Sequence, residues 1–275
     1  MPDYLITREL TQGENVIYQA GSGALDLLSF SILNLAKGME HASNTADQEG
    51  GLVILSGVVT LVIAGQPHPG LGRRTSVFAG KATGAYLPPG TAWSVQAESA
   101  AELAVCTSPS QSAGPAQVIT PDEVRVASAG NWNWRREVHN IIGPNVPQAQ
   151  RLLIGETFNP PGNWSSYPPH KHEEDDYPFQ VNMQEIYHFR FNPPQGFGFQ
   201  RLYTDDLTLD ETYTLRHLDN TLMPRGYHPV VAAPGYQLYY LWMMAGPNDR
   251  RMAPMDDPQH AWVKAVGTLA TEMGF

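Results

Sequence analysis

The 275-residue chain carries a net charge of −10, with 42% hydrophobic and 16% charged residues. That balance supports a sizeable core and excludes a disordered chain, while the acidic surplus and the lack of a basic stripe exclude nucleic acid and acidic membranes as partners. The single cysteine, Cys106, excludes an internal disulfide; with no leader-like start at Met1-Pro2-Asp3-Tyr4 and no apolar run of the ~18 residues a membrane span needs, a cytoplasmic protein is expected.

The elements read as short strands between tight turns, as 25 Gly and 23 Pro beside so many apolar residues suggest. An edge strand is expected around Asn15 to Tyr18, then a strand from Leu27 to Leu35. Ala46 to Gly51 reads as a turn. Leu52 to Leu55 and Val58 to Ala64 form a hairpin around Ser56-Gly57. Gly70 to Arg74 reads as a loop, and Val77-Phe78 and Ala85 to Leu87 as strand segments. Ala92 to Gln96 alternates after the Pro88-Pro89-Gly90 turn, and Ala101 to Thr107 is a further strand.

Ser108 to Pro121, small, polar and broken by Pro and Gly, reads as an interdomain linker. It divides the chain into residues 1–120 and 121–275. The second half repeats the pattern, with strands at Val124 to Val126, Trp134 to Val138, Arg151 to Phe158, Glu185 to Phe191, Gly198 to Tyr203, Thr212 to Leu218, His228 to Ala232 and Tyr236 to Met244. One short helix is expected within Ala261 to Met273. The fold class is all-β, with two similar β-barrels in tandem.

The chemistry gathers in the second half. In Pro168-Pro169-His170-Lys171-His172, side chains at i and i+2 on a strand share a face, about 7 Å apart. Glu185 opens the next strand, and His228 follows the turn Pro224-Arg225-Gly226-Tyr227. Three imidazoles and one carboxylate suit one divalent metal, Zn foremost, with Mn, Fe or Ni also possible. The run Glu173-Glu174-Asp175-Asp176 offers competing carboxylates, or a solvated loop, or a lid. Tyr187 and Phe189 share the inward face with Glu185, and Arg190 should point outward. His41, His68, His139, His188, His217 and His260 read as structural, Trp132 and Trp134 as packing between the barrels, and Arg135-Arg136 as a surface pair.

These motifs resemble the two signature motifs of the cupin fold, the first in His170-x-His172 with Glu185 and the second in Pro224-x-Gly226-x-His228. The gap from His172 to Glu185 is longer than usual in that fold. In the first half, Pro88-Pro89-Gly90-Thr91-Ala92-Trp93 resembles the second motif, but Trp93 stands near the histidine position, and its indole can only donate. The resemblance therefore implies a bicupin with a metal-free, structural N-terminal barrel and a metal-binding C-terminal one.

The whole chain is similar to the bacterial 5-deoxy-glucuronate isomerases of myo-inositol breakdown. The strings that carry the likeness are Asn131 to Val138, Gly155 to His172, Gln184 to Phe189 and Arg225 to Pro229. The resemblance implies a metal-dependent aldose–ketose isomerase that converts 5-deoxy-D-glucuronate to 5-dehydro-2-deoxy-D-gluconate, a small sugar-acid substrate, in a homo-oligomer. Alternatives are a 4-deoxy-5-ketouronate isomerase of pectin breakdown, an Fe(II) cupin dioxygenase, or a non-catalytic sugar-binding bicupin. Isomerisation needs a polarised carbonyl, a proton carrier, and a cation for the uronate carboxylate. Arg201 and Arg225 are expected to bind substrate. Tyr187 is expected to donate to a substrate oxygen. Glu185, a metal-bound hydroxide and Tyr240 all fit the base, and a hydride shift would need none.

Overall fold

Residues 4–273 are described by a computed structural model, and about half of them lie in strands, all paired antiparallel. In the first half, a six-stranded sheet runs in the spatial order Gln117–Ile119, Thr83–Leu87, Gln48–Ser56, Ala101–Pro109, Ser29–Leu35 and Gly13–Tyr18. A four-stranded sheet (Glu40–Asn44, Ala92–Ala97, Val58–Ile63, Gln66–Gly72) covers one of its faces. The two sheets share an apolar cluster that includes Leu33, Ile54, Leu61, Trp93 and Leu103. In the second half, a seven-stranded sheet runs Leu5–Ile6, Asn220–Met223, Gln184–Asn192, Gln237–Ala245, Leu152–Asn159, Arg136–Ile142 and Arg125–Ala129. It shares its own cluster with a four-stranded sheet of Trp164–Ser165, Val230–Ala232, Phe197–Tyr203 and Asp210–Arg216. His170–Lys171 and Met255–Asp256 form a separate pair. One helix, Trp262–Glu272, follows, and no helix among the described residues is long and apolar enough to cross a membrane.

The two large sheets lie back to back. Phe30, Ile32, Val53 and Tyr86 of the first half share one buried cluster with Ile154, Ile186, Leu222, Tyr239 and Met243 of the second. Strands of these sheets are apolar on both faces, so they read as continuous hydrophobic runs rather than alternating ones. The first strand crosses over: Leu5 pairs with Thr221 and Ile6 with Asn220, so this stretch belongs to the second half's sheet.

Polar struts cross the same interface. The buried Glu49 carboxylate accepts from the backbone N–H groups of Gln150, Arg151 and Leu152 at 2.6–2.8 Å, from Tyr86 Oη at 2.9 Å and from Ser110 Oγ at 3.2 Å. Arg74 pairs with Glu156 at 2.6 Å, both buried, and Tyr239 Oη donates to the same carboxylate. Arg190 reaches Glu102 at 2.9 Å, pointing away from the C-terminal cluster as its strand register demands.

Three expectations are corrected. The turn at Ala46 to Gly51 is confined to its start, where Ala46 adopts φ +51°; Gln48 to Gly51 already belong to the strand Gln48–Ser56. Gly51 sits in that strand because a Cβ there would meet Ile154 Cδ1 at 2.3 Å, so the missing side chain admits the opposite sheet. The stretch Ser108 to Pro121 is no free linker: Gln117–Ile119 pairs with Thr83–Leu87, and Ser110 and Ser112 bond to Glu49, Gln150 and Gln148. Val77-Phe78 is a turn, whereas Glu40–Asn44 and Gln66–Gly72 are strands that the sequence pattern did not suggest.

Glu49 supplies a direct test. All five of its partners are donors, so Glu49→Gln places an amide N–H₂ against donors and removes a buried charge-assisted network. The variant should lose about 2–4 kcal/mol of stability, read as a lower midpoint in chemical denaturation.

Candidate metal centre

Three sheets converge on one buried point. Glu185 projects inward from the second residue of Gln184–Asn192 in the large sheet. His228 stands two residues ahead of Val230–Ala232 in the smaller sheet, and His172 one residue beyond the His170–Lys171 pair. One ligand atom from each of His172, Glu185 and His228 lies within 4.8 Å of the other two. Glu185 Oε2 is 3.0 Å from His172 Nε2 and 3.3 Å from His228 Nε2.

Backbone carbonyls fix which nitrogen each ring offers. His172 Nδ1 donates to the Met183 carbonyl at 2.6 Å, and His228 Nδ1 donates to the Gly226 carbonyl at 3.0 Å. Both rings therefore turn Nε2 toward the same carboxylate, as outer partners do for metal-ligating histidines. The His228 ring is fully buried, yet its Nε2 has no hydrogen-bond partner, although the Glu185 carboxylate lies 3.3 Å away. A buried nitrogen so placed beside a second imidazole and a carboxylate fits a divalent cation, which would satisfy it.

Electrostatics agree with this use of the residues. Burial pushes the Glu185 carboxyl upward, but the adjoining His172 and His228 imidazoles outweigh it and hold its pKa at about 2. A carboxylate that acidic is ionised and a weak base, which favours holding a cation over moving a proton. His170 is pushed well below the usual histidine range, by burial first and then by His228 and His172, so its ring stays neutral. His170 lies outside the tight triad. Its ring centroid is 4.9 Å from that of His228 and 6.5 Å from that of His172, so it stands beside the cluster.

The acidic run does not compete. Glu173 is spent on Lys171 Nζ at 2.6 Å and on the Gly226 N–H at 2.9 Å, a clip that ties the first motif to the second. Lys171 also pairs with Asp205, which accepts from Tyr227 Oη. Gly226 has φ +88°, and a Cβ there would approach the Tyr203 carbonyl to 2.6 Å, so this turn requires glycine. Glu174, Asp175 and Asp176 are exposed, and Asp175 is held by Asn182 and Asn248.

Tyr187 and Tyr240 stack at 4.4 Å on the sheet wall, and Tyr187 lies 5.9 Å from the His228 ring. Their hydroxyls meet two consecutive serines: Tyr240 Oη is 2.5 Å from Ser165 Oγ, and Tyr187 Oη is 3.0 Å from Ser166 Oγ. Burial first, then the Glu185 charge, raise the Tyr187 pKa well above 10, so the phenol keeps its proton and can donate.

The expected substrate arginines are not brought together with this cluster. Arg201 lies on the outer face of Phe197–Tyr203, opposite to Gln200 and Leu202, and is bound edge-on to Asp210 at 2.7 and 3.0 Å. Arg225 is exposed on its turn. The reason is strand register: odd positions face outward from 197 to 201, and the Arg225 side chain leaves the turn on its solvent side. Sequence reasoning also missed residues. Gln200 is buried beside the His228 carbonyl with its Oε1 unpartnered, and Ser165 and Ser166 anchor the tyrosines; single polar residues inside apolar strings carry no periodic signal. Trp132 and Trp134 do not pack between the halves but line a cleft with Trp164, Tyr167 and Trp262. Of the presumed surface pair, Arg135 is exposed, while Arg136 is half-buried.

Comparisons with known proteins follow this geometry. A family model described as the KduI/IolB family matches residues 4–263. The chain is 40% identical over 253 residues to the 5-deoxy-glucuronate isomerase of Geobacillus thermodenitrificans, covering 92% of each chain. It is 36% identical over 260 residues to that of Bacillus subtilis strain 168, covering 94% of this chain and 96% of the other. A crystal structure of an IolB-like protein from Salmonella typhimurium superposes with a TM-score of 0.91 at 34% identity, over 96% of this chain and all of that one. The oxalate decarboxylase of Lactobacillus farciminis shares the fold alone, with a TM-score of 0.66 at 11% identity over 100% of this chain and 94% of the other.

Two substitutions rank the donors. His228→Ala should lower metal affinity by more than about 100-fold, beyond the 10- to 100-fold typical of outer-shell changes, whereas His170→Ala should cost less. Metal content by elemental analysis, with circular dichroism to confirm the β-fold, reads the order; a larger loss in His170→Ala would reverse it.

Proposed function

The chain belongs to the KduI/IolB family, and from that we propose that it is a metal-dependent aldose–ketose isomerase converting 5-deoxy-D-glucuronate to 5-dehydro-2-deoxy-D-gluconate. The observation that carries the reading is the buried convergence of His172, Glu185 and His228, with the His228 Nε2 left unpaired. The curated relatives named above are 5-deoxy-glucuronate isomerases rather than dioxygenases or binding proteins.

Two imidazoles and a carboxylate, with His170 as a neutral fourth donor, would hold Zn, Mn, Fe or Ni. Such an ion supplies Lewis acidity to a carbonyl and its neighbouring hydroxyl. The remaining work falls to the chain. The reaction moves one hydrogen between adjacent carbons and exchanges an aldehyde for a ketone, so the substrate oxygens need donors where charge develops. Tyr187, protonated and tied to Ser166, is placed to give one. Tyr240, tied to Ser165, is the second phenol in reach and the candidate for moving the proton. Apolar neighbours such as Phe189, Trp242 and Met244 keep this wall dry and strengthen each donor's effect.

Purified protein and 5-deoxy-glucuronate followed by NMR should show conversion that stops on chelation, returns with added metal and persists without O₂. Unchanged substrate with the metal-loaded protein would sink the assignment, and a strict O₂ requirement would point to the dioxygenase alternative. Tyr187→Phe should lower kcat by about 100-fold at unchanged metal content, the cost of one lost donor.

A further inference from the structure

We propose that Arg136 is the cation that holds the substrate carboxylate and sets the preference for a uronate over a neutral sugar. The proposal rests on the isomerase reading above. A carboxylate on a six-carbon aldose lies at the far end from the aldehyde, roughly 6 Å away when extended, from C–C bonds of about 1.5 Å. The group that binds it must therefore stand beside the metal cluster without entering it.

Arg136 meets that condition. It opens the strand Arg136–Ile142, two residues before Val138, which packs against the C-terminal apolar cluster. Alternate residues share a face, so the arginine starts on the inward side. Its Nη1 donates to the Trp134 carbonyl at 3.3 Å and to the Tyr167 carbonyl at 3.0 Å. Tyr167 joins Ser165 and Ser166, which hold the two phenols, to His170. The guanidinium is thereby clamped to the segment that edges the site, and it makes no contact with His172, Glu185 or His228.

The other cations are engaged or turned away. Arg74, Arg190, Arg201 and Lys171 are paired with Glu156, Glu102, Asp210 and Glu173. Arg136 is half-buried and, among the described residues, has no carboxylate partner. Among the described residues, only its Nη1 is hydrogen-bonded, which leaves Nη2 and Nε free. They make the edge that a carboxylate takes in bidentate geometry.

The test separates this claim from the isomerase assignment. Turnover of 5-deoxy-glucuronate by the wild type reads the reaction. Calorimetric binding of the aldehyde-reduced acid, which cannot isomerise, against its uncharged CH₂OH counterpart reads carboxylate recognition alone. The metal-loaded wild type should prefer the acid. Arg136→Met should weaken acid binding by about 10- to 100-fold, the usual cost of a charged hydrogen bond, with the neutral ligand little changed. KM for the uronate should rise in step, with kcat falling less and metal content unchanged. Arg136→Lys, which keeps the charge and can fill the same space, should recover part of the preference. If Arg136→Met keeps the wild-type preference, or weakens acid and neutral ligand alike, the proposal is overturned even where wild-type turnover is normal.

Discussion

Everything at the metal centre is braced by the back-to-back packing of the two large sheets. The strand Gln184–Asn192 shows how. One face carries Glu185, Tyr187, Phe189 and Phe191 toward the site; the other carries Ile186 into the shared apolar cluster and Arg190 to Glu102 of the first half. A wall buried on both sides has little freedom to shift, and close-packed interiors transmit strain rather than absorb it. The first half thus supplies rigidity where the second supplies donors. Pre-organisation of this kind is what a site needs if its ligands are to meet one ion without rearrangement.

The fixing of ring orientation is equally local. Met183, at the entry to the strand Gln184–Asn192, and Gly226 each give one carbonyl to one imidazole, and the clip through Glu173 and Lys171 ties the Gly226 turn to the His170–Lys171 pair. The second shell is therefore mostly backbone. A backbone carbonyl cannot be substituted away, so the tautomer of His228 depends on the geometry of its turn, and that geometry depends on the close approach that only glycine at 226 allows.

Much of this was legible in the sequence. The histidine pair, the glutamate that resumes a strand and the glycine turn ahead of His228 follow from periodicity two and turn chemistry, and the structure gathers three of those four side chains tightly. The expected strands around Leu152, Glu185, Gln237 and Leu103 lie where apolar runs marked them. What could not be read has physical causes. Gly50 and Gly51 look like a turn, but Gly51 is there to leave room for Ile154, a residue about 100 positions away. Ser110 and Ser112 look like linker because their partners are non-local hydrogen bonds. Setting Arg190 aside as outward-facing leaves Arg201 and Arg225 in the sequence, whereas the direction of an arginine depends on register and on which carboxylate captures it. Arg136 was passed over because it follows another arginine, and nothing in a pair of like charges says that one side chain folds inward.

The crossover of the first strand has a cost during synthesis. Leu5 and Ile6 find their partners only at Thr221 and Asn220, and Thr7 Oγ1 donates to Asp219. At translation rates of about 5–20 residues per second, more than ten seconds separate the emergence of the two edges. Over that interval the outer face of the first half, with Phe30, Ile32 and Val53, meets water instead of its counterpart sheet. The nascent first half thus carries an apolar face that stays open until the strands opposite it have been made.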